Sequence, residues 1–401
     1  MGALLKKVSK RSLNRARKVR EDLHRHPELG YQEERTAGVV ATRLRELGLD
    51  AVRTGVARTG VVGLLRGGRP GRTVALRADM DALPIREETG LPYASVNDGV
   101  MHACGHDGHV AVLLAVAELL AGMRERIAGS VKFVFQPAEE GGAGGRLMAE
   151  AGCLKDPDAG AIFALHARSS IKAGQIELSP TPNVAVDSFQ IDIAGKGAHG
   201  AYPHLSVDPI AIGAQIITAA QTIVSRESRP DRPVVLSFCS FQAGIKHNII
   251  PDSARLLGTI RATELQTLRR VRRSLERLAG GVARSMRARV TMRDEPIYPP
   301  VKNDPALLEL VRGVGQELLG KRNVIRSTEQ RMGAEDFAFY LADQGGVPGV
   351  IFSLGVETDV NLHTARFDFG CAALETGILM MANVALRAAG ATAHSAMKSA
   401  E

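Results

Sequence analysis

The chain has 401 residues, more than one ordinary hydrophobic core accommodates, which favours one large domain and one smaller domain. Its composition, 45% hydrophobic and 23% charged, is that of a globular protein and excludes a disordered chain. The formal net charge is +8, yet no basic stripe interleaves with aromatic residues, which favours a basic solvated surface over nucleic-acid binding.

Helices and strands alternate in the first part of the chain. Some segments carry apolar residues at helical spacing, and others are short apolar runs between Gly, Arg or Pro, which suits strands. In chain order, the predicted elements are helices at 11–26 and 36–48, strands at 60–65 and 73–77, a helix at 107–122, a strand at 131–135, a helix at 145–151 and a strand at 161–166. This order predicts an α/β domain.

The pattern changes at about residue 183. The predicted elements there are strands at 188–193, 234–241, 254–261 and 288–293 and helices at 208–226 and 263–288. Their β-α-β-β-α-β order predicts a small α+β sandwich inserted into the first domain. After residue 300 the α/β pattern resumes, with helices at 304–319 and 333–341, a strand at 349–354 and a helix at 370–388.

Cysteine usage and hydropathy bear on the compartment. The four cysteines lie far apart without a CxxC pair, which predicts neither a disulfide framework nor a structural zinc knuckle and fits a reducing cytoplasm. Residues 1–20 lack the apolar core and the cleavage site of a signal peptide. We judge no stretch long and apolar enough to span a bilayer, so a cytoplasmic protein without a membrane partner is expected.

Two acids follow the predicted strand at 73–77, in the segment RADMDALP. Asp79 and Asp81 lie at the carboxyl end of this strand, where open α/β sheets keep their sites. There they could orient metal-binding histidines, or they could be ordinary turn acids before a proline. The sequence leaves both interpretations open.

A dense cluster of potential ligands lies at the start of an apolar predicted helix. The segment MHACGHDGH holds His102, Cys104, His106, Asp107 and His109. Thiolate and imidazole are first-choice ligands for zinc-like metals, and Cys-x-His lets a bent backbone aim both at one site. A cysteine nucleophile paired with histidine is the rival interpretation, because a helix N-terminus lowers a thiol pKa. The ligand-capable residues further along the chain favour the metal.

Those further residues lie at the ends of other elements. The segment FQPAEEGG places Glu139 and Glu140 side by side, and such acids repel unless a cation holds them. One could then ligate a metal while its neighbour acts as general base on a metal-bound water. His166 ends a predicted strand and His363 precedes the last helix, and either alone would more often be structural. Five residues together approach what two metals need, namely Cys104, His106, Glu140, His166 and His363.

The inserted domain carries a glycine-rich segment, GKGAHGAYPH. It presents His199 and His204 on a predicted turn, away from any carboxylate cluster. A histidine there could stabilise an oxyanion, or both could be exposed residues of a hairpin. The segments 247–252 and 333–337 permit either a functional role or only a turn or a helix start.

Taken in order, these segments resemble peptidase family M20, specifically its amidohydrolase branch of hippurate hydrolases, N-acyl-amino-acid amidohydrolases and auxin-conjugate hydrolases. The resemblance extends from His24 to Phe369, nearly the whole chain. The motifs that carry it are HRHPEL, RADMDALP, MHACGHDGH, FQPAEEG, the Leu-His at 165–166, GKGAHGAYPH, NIIPD, GTIR, MGAEDFA and LHTARFDF. Ala365, where a proline is common, and Lys246-His247, where smaller residues are usual, depart from the family pattern without removing a ligand.

The resemblance implies a role for each site residue. It makes Glu139 the general base, and it implies that His199 reaches the active site of the partner subunit with Asn248 assisting, so that the enzyme acts as a homodimer. Arg261, or another basic residue, is expected to hold the substrate carboxylate. Two divalent metal ions per subunit, zinc, manganese, cobalt or nickel, are implied to bind Cys104, His106, Glu140, His166 and His363.

The resemblance also implies the fold. It is a mixed-sheet, zinc-peptidase-like catalytic domain of the α/β class with an inserted ferredoxin-like α+β domain that serves as lid and dimerisation domain. Residues 1–182 and 295–401 are then the two parts of the catalytic metal-binding domain, and residues 183–294 are the insert.

The predicted reaction is hydrolysis of the amide bond of an N-acylated amino acid, whether hippurate-like, N-acetylated or aryl-acylated, by water that two metals activate. Three alternatives stay open. One is a thiol hydrolase based on Cys104, the second is hydrolysis of a different C–N bond such as that of an aryl amine or amidine, and the third is a catalytically silent dimeric binding protein.

Overall fold

The computed structural model describes residues 4–293, 296–356 and 358–390. The chain divides into two compact units. Unit 1 contains the described residues up to Pro182, Lys302–Glu329 and the described residues from Asp336 onward, and unit 2 contains those of Asn183–Val301 and Gln330–Glu335. The expected end of the insert, residue 294, lies outside the described residues.

The helices and strands alternate through unit 1 and are interrupted by unit 2. The helices are α1 Lys10–Arg25, α2 Glu34–Glu46, α3 His106–Ala121, the single turn α4 Glu139–Gly142, α5 Gly144–Glu150, α6 Pro209–Thr222, α7 Leu265–Ser285, α8 Pro305–Leu319 and α9 Ala372–Gly390. The strands are β1 Ala51–Val56, β2 Gly60–Arg66, β3 Arg69–Asp79, β4 Ala128–Gln136, β5 Ile162–Arg168, β6 Ile176–Leu178, β7 Ala185–Ala194, β8 Ala198–His199, β9 Val234–Ala243, β10 Ile249–Ile250, β11 Ser253–Ala262, β12 Arg289–Arg293, β13 Val324–Arg326 and β14 Gly349–Gly355.

Unit 1 is built on an eight-stranded mixed sheet with the order β1-β2-β4-β3-β5-β14-β6-β13. Strand β3 is parallel to β4 and β5, and β5 is parallel to β14, while β1 with β2 and β2 with β4 are antiparallel. Parallel strands end at the same edge of a sheet, so the residues at the carboxyl ends of β3, β4 and β5 come together there. In the register, Asp79 at the end of β3 is opposite Gln136 at the end of β4.

Helices α3 and α9 form the centre of the unit 1 core. By length and composition α9 could cross a membrane, with a mean hydropathy of 1.2, so the sequence-based statement that no such stretch exists was wrong. However, 72% of its most apolar window is buried inside the protein, and it packs against α3, α8 and β3. An apolar helix of this kind is explained by burial in a core.

One predicted helix is absent from the described residues 333–341. The structure has a short 3-10 turn there, Asp336–Tyr340. The carboxylate of Asp336 accepts a hydrogen bond of 2.7 Å from the backbone N–H of Gly145, which lies 191 positions earlier in the chain. Tertiary hydrogen bonds, which local apolar spacing does not encode, therefore set the conformation of this segment.

Unit 2 has a four-stranded antiparallel sheet with the order β12-β7-β11-β9. Helices α6 and α7 pack against it, and apart from the two-residue strands β8 and β10 the chain order is β-α-β-β-α-β, as in a ferredoxin-like sandwich. Nη1 of Arg272 on α7 donates hydrogen bonds of 2.8 and 2.7 Å to the two oxygens of the buried carboxylate of Asp187 on β7. This pair fixes the helix on the sheet.

Candidate metal centre

The turn that precedes α3 brings a thiol and an imidazole to one place. Gly105, between Cys104 and His106, has a φ of 83°, which L side chains rarely adopt. A Cβ at Gly105 would also lie 3.0 Å from the ring of Phe369 and 3.2 Å from Cβ of Ala167. Glycine at this position thus lets the chain reverse tightly, so that both neighbouring side chains face the edge of the sheet.

The five predicted ligands meet at this edge. The Sγ atom of Cys104 lies 3.5 Å from Nε2 of His166 and 3.3 Å from Nε2 of His363. The latter nitrogen lies 2.9 Å from Oε1 of Glu140. In each of three overlapping trios the candidate ligand atoms lie within 4.8 Å of one another: Cys104, His106 and His166; Cys104, Glu140 and His363; His106, Glu139 and Glu140. A mixed sulfur, nitrogen and oxygen set of this kind suits transition metals.

Hydrogen bonds fix the tautomers of two of these histidines. Nδ1 of His106 donates to the backbone carbonyl of Asp81 at 2.9 Å, and Nδ1 of His166 donates to the carbonyl of Ala167 at 2.9 Å, because a carbonyl oxygen can only accept. In the neutral ring that a metal would bind, the lone pair of each histidine therefore lies on Nε2. Nε2 of His106 is buried and has no hydrogen-bond partner among the described residues, which is the condition expected of a metal ligand.

The charges around these side chains favour a bound cation. Burial acts to raise the pKa of Glu140, but His363 and His106 outweigh it and lower the pKa. Burial acts to lower the pKa of His106, but Asp79 and Asp81 raise it to about 10. Divalent ions would neutralise the carboxylates that are gathered at this edge of the sheet.

The same environment disfavours Cys104 as a free nucleophile. Burial, followed by the charges of Glu140 and Glu139, raises the pKa of the Cys104 thiol well above its ordinary value. A reactive cysteine needs a lowered pKa, which positive neighbours supply. Without a cation the thiol would stay protonated, whereas a metal would deprotonate it outright.

A sequence model for the family described as peptidase family M20/M25/M40 matches residues 75–387 of the chain. The chain belongs to this family. Thermostable carboxypeptidase 1 of Saccharolobus solfataricus is 38% identical over 379 residues, 92% of this chain and 94% of that protein. N-acetylcysteine deacetylase of Bacillus subtilis is 38% identical over 369 residues, 92% of this chain and 95% of that protein.

A solved structure from Bacillus subtilis, described as a dinuclear metal-binding peptidase of family M20, superposes with a TM-score of 0.79 at 34% identity and covers 95% of this chain and 99% of that one. The predicted family and the predicted mixed α/β fold class are therefore confirmed. The prediction of a hydrolase that acts on amide bonds is confirmed at the level of the family.

In this M20 chain the two adjacent glutamates lie on a strained turn after β4. Ala138 has a φ of 49° and Gly141 a φ of 88°, both in the left-handed region. The backbone N–H of Ala138 donates to Oε1 of Glu33 at 2.8 Å, which holds the turn in place. The reversal directs Glu140 toward His363 while Glu139 stays buried, with Oε1 3.4 Å from the backbone N–H of Asp336.

The remaining predicted residues lie in unit 2. Strand β8, which carries His199, pairs with β10, and the backbone N–H of Gly200 donates to the carbonyl of Asn248 at 2.8 Å, so His199 and Asn248 are neighbours. Nδ1 of His199 accepts a hydrogen bond of 3.1 Å from the backbone N–H of Ala201. Arg261, near the carboxyl end of β11, donates to the backbone carbonyl of Met332 and is not brought next to the other two.

The two acids at the carboxyl end of β3, Asp79 in the strand and Asp81 just beyond it, orient histidines. Asp79 accepts from Nδ1 of His109 at 2.6 Å and from Arg77 at 2.7 Å, so both of its oxygens are occupied. The pKa of Asp79 is well below its ordinary value, because His106 and Arg77 outweigh the effect of burial. Asp81 holds His106 through its backbone carbonyl, with its carboxylate 3.3 Å from the same nitrogen.

The sequence did not reveal a buried hydrogen-bond network between α1 and the first turn of α3. Arg20 and His24 of α1 hold the carboxylate of Asp107, with distances of 2.8 Å from Arg20 Nε and 2.9 Å from His24 Nδ1. Burial acts to lower the pKa of His24, but Asp107 and Glu87 raise it to about 9. Burial lowers the pKa of His102 to about 3, so this histidine is neutral. The motif HRHPEL was the available signal for His24.

Proposed function

We propose that the chain hydrolyses the amide bond of N-acylated amino acids with two divalent metal ions bound at the carboxyl edge of the unit 1 sheet. The observation that carries the proposal is that Cys104 belongs to two donor trios, one with His106 and His166 and the other with Glu140 and His363. When bound, such ions acidify a water molecule and polarise a carbonyl group.

Glu139 is the general base of this proposal. Its carboxylate takes a proton from the attacking water and returns it to the leaving amine, so that the base is regenerated in each cycle. The side chain is 7% exposed and lies within the same group of donor atoms as His106 and Glu140. A buried carboxylate that does not ligate can approach a water held beside it without competition from bulk solvent.

The substrate class rests on the relatives. One is named a carboxypeptidase and another an N-acetylcysteine deacetylase, and both names describe cleavage of an amide at the nitrogen of an amino acid. The product amino acid carries a carboxylate, and Arg261 is our candidate to bind it. A planar guanidinium can donate two parallel hydrogen bonds to the two oxygens of a carboxylate.

A substrate panel tests this proposal. The chelated protein, reloaded in turn with zinc, manganese, cobalt or nickel, is assayed on N-acetyl, N-benzoyl and indole-acetyl amino acids, with an aryl amine and an amidine as competing C–N bonds. We expect hydrolysis of at least one N-acyl amino acid, at a kcat/KM at least about 10-fold above that of its methyl ester. Hydrolysis confined to the other C–N bonds would replace the proposed reaction, and metal binding without any turnover would indicate a silent binding protein.

We further propose that the protein is a homodimer in which unit 2 serves as lid and dimerisation domain and His199 acts in the active site of the partner subunit. Because Nδ1 of His199 accepts a backbone hydrogen bond, its proton lies on Nε2, which can donate to an oxyanion. Strand β9 is an edge strand of its sheet, and Phe241, Ile245 and Ile249 are exposed near its end, Ile245 at 97%. Exposed apolar groups beside an open strand edge suit a second copy of the chain.

Mixed dimers test this arrangement. Glu139→Ala and His199→Ala variants are each expected to be inactive alone, whereas co-expression should recover about a quarter of the wild-type activity, since about half of randomly paired dimers are mixed and each has one complete site. A pairing of Glu139→Ala with His166→Ala is the control, because both defects lie in unit 1 and no complete site can form. Absence of recovery in a purified mixed dimer would exclude the shared site.

We also propose a cytoplasmic location. All four cysteines, Cys104, Cys153, Cys239 and Cys371, are free. A thiol ligand such as Cys104 is best preserved in a reducing compartment.

A further inference from the structure

Asp336 lies in a buried hydrogen-bond network beside the proposed base. Its side chain is fully buried at 0% exposure. Oδ1 accepts from Arg77 at 2.8 Å and from Gln136 at 2.7 Å. Oδ2 accepts from Gln136 at 2.8 Å and from the backbone N–H of Gly145 at 2.7 Å. The carboxylate is thus surrounded by donors of three different segments.

Two of these donors enclose the strained turn that carries Glu139. Gln136 is the last residue of β4, three positions before the base, and Gly145 is in the first turn of α5, six positions after it. The Asp336 carboxylate therefore binds the chain on both sides of the turn. A Cβ at Gly145 would lie 2.6 Å from the backbone oxygen of Asp336, so glycine there permits the close approach.

The backbone of the same residue contacts the base itself. The N–H of Asp336 donates to Oε1 of Glu139 at 3.4 Å, a long hydrogen bond of the kind that tightens when a substrate complex forms. The guanidinium of Arg77, which donates to Asp336, compensates the buried negative charge of the Asp336 carboxylate. Arg77 also donates hydrogen bonds of 2.7 Å to Asp79 and 2.8 Å to Gln136. Arg77 is itself buried, at 1% exposure, so the network is screened from water.

We propose that Asp336 is a positioning residue for the general base. Its carboxylate fixes the two ends of the turn and its backbone N–H orients the carboxylate of Glu139, so that the base is held at the place where it receives a proton. This inference rests on the proposed function, because it takes Glu139 to be the base. Misplacement of a reacting group by about 1 Å can lower a rate by about 10²-fold, so a positioning role has a measurable consequence.

An Asp336→Asn substitution is the direct test. Whichever oxygen the amide nitrogen replaces, it faces donors, namely Gln136 with either Arg77 or the Gly145 N–H, so the grip on the turn is lost while the volume is unchanged. We expect kcat to fall between about 10-fold and 100-fold, with KM within about threefold of wild type and two metals per subunit retained.

A matched control separates positioning from general destabilisation. Asn303 is also buried in unit 1, at 5% exposure, and its amide donates to the carbonyls of Ser179 and Ile351 at 2.8 and 2.9 Å. These hydrogen bonds do not involve the network around Asp336. Asn303→Asp is the reverse exchange, from amide to acid, and should lower the Tm while leaving the kcat of the folded fraction within about twofold of wild type. Gly145→Ala, which displaces Asp336 without changing its charge, is the second variant and should lower kcat at least about threefold.

A double mutant with Glu139→Ala completes the experiment. If Asp336 acts through Glu139, adding Asp336→Asn to Glu139→Ala should change the residual kcat by less than about twofold, because the two losses are not additive. Fully additive losses, or a folded, metal-loaded Asp336→Asn protein with normal kcat, would overturn the inference. Near-normal activity of Glu139→Ala alone would instead overturn the proposed function, so the two failures are distinguishable.

Discussion

Replacing Glu139 with alanine should lower kcat by about 10³-fold, the effect typical of a positioned general base. The variant should keep both metals and the fold, because Glu139 is not one of the five proposed ligands. The methyl group that remains cannot accept the proton of the attacking water or return it to the leaving amine. We expect KM to change by less than about threefold, which places the loss in the chemical step.

The measurement combines steady-state kinetics with metal analysis and thermal unfolding. Glu150→Ala is the control, since Glu150 ends α5 in the same stretch of chain, is exposed and makes a distant 3.9 Å ion pair with Arg146. Its kcat should be that of the wild type. Near-normal turnover of Glu139→Ala at full metal occupancy would falsify the assignment of the base.

Removal of the metals should lower activity by more than about 10³-fold, because water that no metal acidifies is a poor nucleophile at neutral pH. Activity should return when a divalent ion is added back after the chelator is removed. The apo-protein should also unfold at lower temperature, by an amount that depends on metal concentration, since a ligand that binds only the native state stabilises it by mass action.

The same experiment decides between a metal site and a thiol nucleophile. A thiol hydrolase would keep its activity in chelator and lose it on alkylation. We expect the opposite dependence on chelator, because burial and acidic neighbours raise the pKa of Cys104 well above its ordinary value. A Cys239→Ser background removes the exposed thiol, so that any alkylation reports on the less accessible cysteines.

Metal-ligand chemistry was readable from the sequence because it depends on residue type and local spacing. Cys104 and His106 are separated by one glycine, and Glu139 and Glu140 are adjacent, so each pair must share a place whatever the fold. The edge of the sheet was also predictable, since segments that alternate strand and helix bring their carboxyl ends together. This is why His166, at the end of a strand, could be grouped with them.

Other features were not predicted, because the segments were too short or because the contacts that determine them join residues far apart in the chain. Strands β6 and β13 have three residues each, too few for an alternating pattern. The segment 333–341 has helical spacing, but long-range hydrogen bonds to Asp336 override it. The contact between Asp336 and Glu139 was also not predictable from the sequence, because the two residues are 197 positions apart.

The sequence by itself determined the chemistry of this protein, because the donor atoms and their spacing restrict the metals and the reaction. Only the tertiary structure showed which of the candidate side chains other groups already satisfy and which are left to serve as the proposed ligands. Asp79 carries the same carboxylate as a ligand would, but Arg77 and His109 occupy both of its oxygens, whereas Nε2 of His106 is left without a hydrogen-bond partner among the described residues. The physical reason is that a residue type defines what a group can bind, while its role depends on which other groups have already satisfied it.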